Sequence, residues 1–317
     1  MKIVIVGYGE MLQSLISGVM TTNHEIVGVF RHENVLFSRF KNFFMETFQP
    51  TNDYLYIKHH KLNDIKATSV NSKEFRSQIE KLGVDLILVG SWSEKFEMQT
   101  INIPKVACIN VHPSLLPKYR GPNPYIQTLL ANEKVSGITF HLMDVNYDTG
   151  GMLFQSKTNI DLNETGATLK SKCCALAKTE VANVLNNIEL LVKNPVSQNE
   201  KEATYQHQIK ISECILNFEQ ETSEQISRRI RALTPFIKCV IPHKKYQFLE
   251  FEQYKTYNKP TEKEVGSIIK ITNNSIFVVC KDKKVMEFID LKLKMIPSKF
   301  FTKLYINKFV KIGDKAI

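Results

Sequence analysis

An uninterrupted run of β-branched residues, Ile3-Val4-Ile5-Val6, opens the chain and leads at once into Gly7-Tyr8-Gly9. Successive side chains of a strand point to opposite faces. Four apolar residues in a row therefore require cover on both faces, which is the pattern of a strand inside a parallel sheet. Leu12, Leu15, Ile16 and Val19 then recur at helical spacing, and Glu25 to Phe30 reads as a second strand. A strand, a helix and a strand in that order predict a βαβ unit and a mostly parallel α/β sheet. The turn is a poor dinucleotide fingerprint, because Leu12 stands where the third glycine of G-x-G-x-x-G would be.

Further strands are expected at Asp85–Gly90, Ala107–Val111, Gly137–Met143 and Thr158–Leu162. Helices are expected over Ser72–Leu82 with a serine cap, over 165–192, and over Ser223–Leu233, which Pro235 follows. Residues 31–68 read as irregular and 195–222 as a linker with some extended structure. From about Tyr246 the pattern changes to short β-runs at Gln247–Tyr254, Gly266–Ile271, Ser275–Cys280 and Val285–Leu291, with a turn at Asn273-Asn274. Runs so closely spaced suggest a small β-barrel or half-barrel. At 317 residues the chain exceeds what one core usually sustains. The expected division is an α/β domain over 1–195, a linker with an amphipathic helix over 196–243, and a β domain over 244–317.

The net charge of +10 is concentrated: from Lys244 onward there are sixteen lysines, no arginine and eight acids, a net of +8. That distribution suits a polyanionic partner and equally a solvated lysine-rich surface. No apolar run approaches the ~20 residues of a membrane helix. Six cysteines without CxxC spacing argue against a zinc site or redox pair and fit free thiols in a reducing cytoplasm.

The informative segment runs Asn110-Val111-His112-Pro113-Ser114-Leu115-Leu116-Pro117-Lys118-Tyr119-Arg120-Gly121-Pro122, with His141-Leu142-Met143-Asp144 and Asp148-Thr149-Gly150 downstream. Asn110 and His112 stand two apart at a strand end, so their side chains leave on one side. Carboxyl ends of strands in open α/β sheets are where ligands bind. Both residues can donate to a developing oxyanion, and His112 can move protons near neutral pH. Asp148, in a glycine-bounded loop, can orient His112 and stabilise its charged form. Amide, imidazole and carboxylate without a serine or cysteine elbow suit acyl transfer in which the substrate, most naturally an amine, is the nucleophile.

This segment, with Asp148-Thr149-Gly150, resembles the 10-formyltetrahydrofolate-dependent formyltransferase family. The resemblance implies a Rossmann-like formyltransferase domain followed by a small OB-like β-barrel domain, a 10-formyltetrahydrofolate donor, and no metal. It implies that Asn110 polarises the formyl carbonyl, that His112 assists and transfers protons, and that Asp148 orients His112 and helps the attacking amine lose its proton. It further implies that Ser114, Leu115, Leu116 and Pro117 line the folate site. Gly90, Ser91 and Trp92, with Met143, Asp144 and Tyr147, would hold the pterin mainly by backbone groups. Arg120 and Gly121 would face the acceptor.

Arg229-Ile230-Arg231-Ala232-Leu233-Thr234-Pro235-Phe236 and the tail from Val310 to Lys315 are similar to the branch acting on methionyl-tRNA. Pro113 departs from that branch, and Arg120-Gly121-Pro122-Asn123-Pro124 is similar to enzymes acting on nucleotide-linked amino sugars. The basic loop at the tRNA acceptor end is not recognisable in residues 7–50. Arg31, Arg39 and Lys41, among phenylalanines, are the candidates to replace it. The expected acceptor is therefore methionyl-tRNA, with a nucleotide-linked amino sugar or hydrolysis of the donor as alternatives.

Overall fold

Two compact units make up the computed structural model, which describes residues 1–33, 39–243, 247–294 and 298–316. One comprises 1–128, 133–161 and 168–208, and the other 129–132, 162–167 and 209–317. The first is organised on a six-stranded sheet. Its strands are β1 (Lys2–Gly7), β2 (Glu25–Arg31), β3 (Leu86–Gly90), β4 (Ala107–His112), β5 (Val135–Leu142) and β6 (Met152–Asn159). They lie in the order β2-β1-β3-β4-β5-β6. The first four are parallel, and β5 and β6 extend the sheet antiparallel. Val4 and Val6 enter a core with Phe30, Phe75, Ile79 and Ile87. Ile3 and Ile5 are fully buried on the opposite face, as the unbroken apolar run requires.

The helices that follow are α1 (Gly9–Val19), α2 (Arg39–Phe48), α3 (Asn52–His59), α4 (Lys73–Leu82), α5 (Met98–Ile101), α6 (Pro124–Leu130), α7 (Gly166–Asn186) and α8 (Ile188–Lys193). Ser72 caps α4 by accepting the Phe75 N–H at 3.2 Å, the role its sequence position suggested. Three expectations need correction. The stretch 31–68, read as irregular, holds α2 and α3; α3 has weak apolar periodicity, whereas α2 is amphipathic but interleaves its aromatic residues with basic ones. The strand expected at Thr158–Leu162 is the end of β6, which begins at Met152 because it pairs along β5. The helix expected over 165–192 breaks at Asn187 into α7 and α8.

Arg31 is buried at the end of β2. It is paired with Asp64 at 3.1 Å and with Glu46, and Glu33 stands 3.9 Å away. Its charge is thus consumed internally, and it is not a cation facing a partner. The side chains of Phe37, Arg39, Phe40 and Phe43 lie outside the described residues, whereas Lys41 and Phe44 are exposed.

The second unit contains α9 (Ser223–Leu233), started by a capping box between Thr222 and Gln225 and burying Ile226, Ile230 and Leu233. Its strands are β7 (Val240–Pro242), β8 (Phe248–Glu250), β9 (Gln253–Tyr257), β10 (Ile268–Ile271), β11 (Ser275–Val279), β12 (Val285–Ile289) and β13 (Lys292–Leu293). All pair antiparallel, in a four-stranded sheet β10-β11-β12-β9 and a three-stranded sheet β13-β8-β7. The single run expected over Gln247–Tyr254 is two strands in different sheets, parted at the buried Phe251. A helix not expected from the sequence, α10 (Lys299–Phe309), follows β13.

Candidate active site

The parallel register brings the carboxyl ends of β1, β3 and β4 to one edge: Gly7 lies opposite Gly90, and Val89 opposite Asn110. A Cβ on Gly7 would fall 2.2 Å from the Gly90 carbonyl oxygen, so the strand ends approach this closely only with glycine there. On its other side β4 meets β5 antiparallel, and Asn110 pairs directly with His141. Directly opposed residues share a face, and the Asn110 amide Nδ2 lies 3.1 Å from His141 Nε2.

Asp148 comes from the turn between β5 and β6, with a left-handed φ of 57°. Its Oδ1 lies 3.4 Å from His112 Nδ1, 3.5 Å from His141 Nε2 and 3.2 Å from Asn110 Nδ2. Its Oδ2 accepts the Gly121 N–H at 2.8 Å. The fold thus gathers Asn110, His112 and Asp148, which are separated by up to 38 residues, around one carboxylate. It adds His141, which the sequence reading quoted within a motif without giving it a role. Its signal was present in the alternation of β5, but only the register shows that it faces Asn110.

The hydrogen bonds constrain where protons sit. His112 Nε2 lies 2.8 Å from the Tyr119 carbonyl oxygen, which can only accept, so Nε2 carries hydrogen and Nδ1 faces Asp148. By the same argument His141 Nδ1, 2.8 Å from the Leu142 carbonyl, is protonated. His141 Nε2 then accepts from the Asn110 amide. Burial pushes His112 below the ordinary histidine range, while the Asp148 charge and the Tyr119 carbonyl pull it back up and His141 pushes it further down. For Asp148, burial opposes ionisation. A positive charge on His112, the neighbouring His141 imidazole and the Gly121 N–H outweigh it, and hold the carboxyl well below the usual carboxylate range. A proton entering the site therefore goes to the Nδ1 side of His112, beside an ionised carboxylate. The His112 Nε2–H is already committed to Tyr119, which leaves the Asn110 amide as the side-chain donor available to an oxyanion.

A second layer holds this arrangement. Gln198 Nε2 donates to the carbonyls of Asp148 and Gly150, each at 2.8 Å. Gln198 Oε1 in turn accepts from Arg120 Nε at 3.0 Å and Nη2 at 2.8 Å, and Glu200 accepts from Nη1 at 3.0 Å and Nη2 at 2.7 Å. Arg120 is buried. Its planar fork is engaged by Gln198 and Glu200, some 80 residues downstream, and it stands in the wall of a further cavity of about 460 Å³ with Tyr147, Thr149 and Tyr205. Gly121 meets its expectation only in part, since it lines a cavity while its N–H is spent on Asp148. Tyr119 donates its N–H to Thr204 Oγ1 at 2.8 Å and its hydroxyl to Glu133 at 2.8 Å. No local motif announces Gln198 or Thr204.

Two cavities share Trp92, Asn110, Tyr147 and Asp148 as walls. One is a narrow slot of about 40 Å³ with Val89, Phe96, Met143 and Asp144. The other is wider, about 470 Å³, and adds Tyr8, Ser91, Pro113, Pro122, Tyr125 and Tyr205. Ser91, Trp92, Met143, Asp144 and Tyr147 thus lie where a ligand would contact them. Gly90 instead packs over Met11 and Leu15. Ser114, Leu115, Leu116 and Pro117 line neither cavity. Ser114 Oγ donates to the Lys118 carbonyl, and the Leu116 N–H and the Ser114 carbonyl both bond Thr139 Oγ1. That loop shapes the backbone leading to Tyr119 and Gly121. Among the described residues no group of His, Cys, Asp and Glu is arranged to hold a metal ion. Among them, too, no helix is long and apolar enough to cross a membrane. All six cysteines are buried and none forms a disulfide.

Comparison with known proteins agrees with this geometry. Residues 1–185 match the formyl transferase family model and residues 208–304 match that of the formyl transferase C-terminal domain. The chain is 31% identical over 287 residues to a methionyl-tRNA formyltransferase of Ehrlichia ruminantium strain Welgevonden, covering 90% of each. It is 27% identical to that of Halothermothrix orenii, covering 80% of this chain and 81% of the relative. Among solved structures it resembles an N-formyltransferase from Helicobacter canadensis, determined in complex with folinic acid and dTDP-3-aminofucose. There the TM-score is 0.61 and the identity 17%, over 91% of this chain and 99% of that one. HypX from Aquifex aeolicus superposes with a TM-score of 0.64 at 13% identity, over 100% of this chain and 53% of that one. At such identities the structural likeness speaks for the fold.

Proposed function

Since the chain belongs to the formyl transferase family, we propose that it transfers a formyl group from 10-formyltetrahydrofolate to the α-amine of methionyl-tRNA. The observation that carries this reading is the convergence of Asn110, His112 and Asp148 at the mouth of two joined cavities with no side-chain nucleophile. The slot offers Val89, Phe96 and Met143 as apolar walls for the edge of a flat heterocycle, and the wider cavity of about 470 Å³ beside it gives room for the rest of the donor. When bound, the folate supplies the formyl carbon and a nitrogen leaving group.

The residues then divide the work. Asn110 Nδ2 turns from Asp148 to the formyl oxygen as negative charge builds there; one such donor is worth about 10²–10³ in rate. Asp148, kept ionised, and His112, with Nδ1 free beside it, receive the proton that the attacking amine gives up, directly or through one water. Their pairing stabilises the imidazolium formed. The same proton is then available to the departing nitrogen, so the site ends in its starting protonation state.

The acceptor assignment rests on relatives named methionyl-tRNA formyltransferase at about 30% identity over nine-tenths of both chains. The lysine-rich C-terminal region, with its sixteen lysines, supports it through phosphate contacts. The test is an acceptor screen with 10-formyltetrahydrofolate, comparing wild type with Asp148→Ala. We expect formylation of methionyl-tRNA, weakened by added salt and reduced about 10²–10⁴-fold in the variant, as is typical of acid–base residues. Turnover of a nucleotide-linked amino sugar with none on charged tRNA replaces the acceptor. Formate release without any acceptor replaces transfer by hydrolysis, and an unchanged rate in Asp148→Ala removes the assigned role.

A further inference from the structure

Asn110 is the side-chain donor left for an oxyanion, yet both hydrogens of its amide are engaged in the free protein. One points to Asp148 Oδ1 at 3.2 Å and the other to His141 Nε2 at 3.1 Å. Both of these atoms accept. Asp148 is ionised, and the Leu142 carbonyl keeps hydrogen on the far nitrogen of His141. His141 is only 2% exposed, so its imidazole offers almost no surface to a ligand. Its one free lone pair is spent on Asn110.

The two holds fare differently as a proton moves. Asp148 Oδ1 also stands 3.4 Å from His112 Nδ1. Once that nitrogen takes the proton of the amine, it is a charged donor to the same oxygen, and charge-assisted bonds are about twice as strong as neutral ones. Asp148 then favours His112, and one amide hydrogen of Asn110 comes free. The last torsion of an asparagine is broad and two-fold. An amide held by nothing would turn its carbonyl as readily as its NH₂ toward the formyl oxygen, and a carbonyl repels the negative charge developing there. His141 Nε2 keeps the second hydrogen throughout. The backbone is shaped at this point: the β5–β6 register slips by one residue, from Phe140 opposite Phe154 to His141 opposite Met152. Register breaks of this kind re-aim a side chain beside a site.

We propose that His141 is a positioning residue: its Nε2 lone pair fixes which end of the Asn110 amide meets the formyl oxygen while Asp148 is occupied with His112. The inference rests on the reading of this site as a formyl-transfer site and adds a fourth side chain to its working parts. His141 acts through Asn110, which sets it apart from a residue that only fills the core. Its removal costs rate where Asn110 is present and costs little where Asn110 is already gone.

The test is a double-mutant cycle on formyl transfer by the full-length protein. It uses 10-formyltetrahydrofolate and whichever of methionyl-tRNA or a nucleotide-linked amino sugar the wild type formylates. His141→Phe keeps a planar ring and removes the acceptor. It should lower kcat about 10–100-fold, part of what a lost oxyanion donor costs, with KM for the donor changed less than about threefold. In an Asn110→Ala background the same change should alter kcat less than about twofold. His141→Gln, whose amide oxygen reaches the place of Nε2, should recover most of the rate. His141→Leu replaces the phenylalanine variant if near-ultraviolet circular dichroism shows that variant misfolded. An equal loss in both backgrounds, a glutamine variant as slow as phenylalanine, or a phenylalanine variant within twofold of wild type overturns this inference and leaves the functional reading standing. A wild type that formylates neither acceptor overturns both.

Discussion

Replacing Gln198 by alanine should cripple catalysis although Gln198 touches no substrate. Its amide makes two bonds of 2.8 Å to the carbonyls of Asp148 and Gly150 and accepts two from Arg120. Arg120 keeps Glu200 in the variant, and water can reach the half-exposed rim. The net loss is then the two carbonyl bonds, at about 1 kcal/mol each, so about 2 kcal/mol of stability. For a unit of this size that lowers Tm by roughly 4–8 °C. The catalytic effect is separate. Asp148 sits at a left-handed φ of 57° that an unbraced turn will not hold. A displacement of about 1 Å of a catalytic group costs on the order of 10² in rate. Steady-state formyl transfer should show kcat down about 10–100-fold with KM for the donor changed less than threefold. Gln198→Glu retains an acceptor for Arg120 but has no donor for the carbonyls, so it should lose at least as much Tm as alanine and fall with it in kcat. If both variants keep kcat within twofold, the bracing argument is wrong.

Gly121→Ala places a Cβ 2.5 Å from the Gln206 carbonyl oxygen at a φ of 96°, so the backbone must shift and carry with it the N–H that Asp148 accepts. A loss of about 1–3 kcal/mol from the backbone conformation, read by chemical denaturation, should accompany a drop in kcat of at least tenfold. Burial holds His112 below its ordinary value, so the unfolded chain binds the proton first as pH falls through about 6.5, and stability declines from there downward. Asp148, held low, stabilises above the ordinary carboxylate value and is lost only as pH falls well below about 3.9. Denaturation midpoints between pH 8 and 5 should therefore slope downward in wild type and less steeply in His112→Gln, and equal slopes would exclude the assignment. Thr222→Ala removes the cap of α9 and should cost about 1 kcal/mol while leaving kcat unchanged, since the residue has no part in the site.

Much of the central sheet was legible because its strands are buried on both faces and so appear as unbroken apolar runs, as in Ile3–Val6. Asn110, His112 and Asp148 were legible because alternation along one strand and a glycine-bounded turn suffice to aim them at one point. The bracing of Arg120 was not legible, because its carboxylate, Glu200, lies 80 positions away. His141 required the β4–β5 register. Helix α3 was not legible because its apolar periodicity is weak, whereas α2 carries a clear one that its basic and aromatic residues obscured. Gln247–Tyr254 looked continuous because a buried aromatic at Phe251 reads the same in a strand and at the break between two.

The bracing of the Asp148 turn by residues 198–206 has a consequence for how the molecule comes apart. Every reacting side chain lies at or before Asp148, yet Gln198 is 50 residues from Asp148, and Thr204 is 85 residues from Tyr119. That late strip holds on mainly by polar bonds at its edge, with Gln198 half-buried and Glu200, Thr204 and Tyr205 exposed. Such segments open at a free energy well below that of the whole domain. A brief excursion of the strip would leave the sheet and core intact while the carboxylate loses its aim. In mild denaturant, or on warming, the enzyme should fall silent while its far-ultraviolet signature is still that of the folded protein.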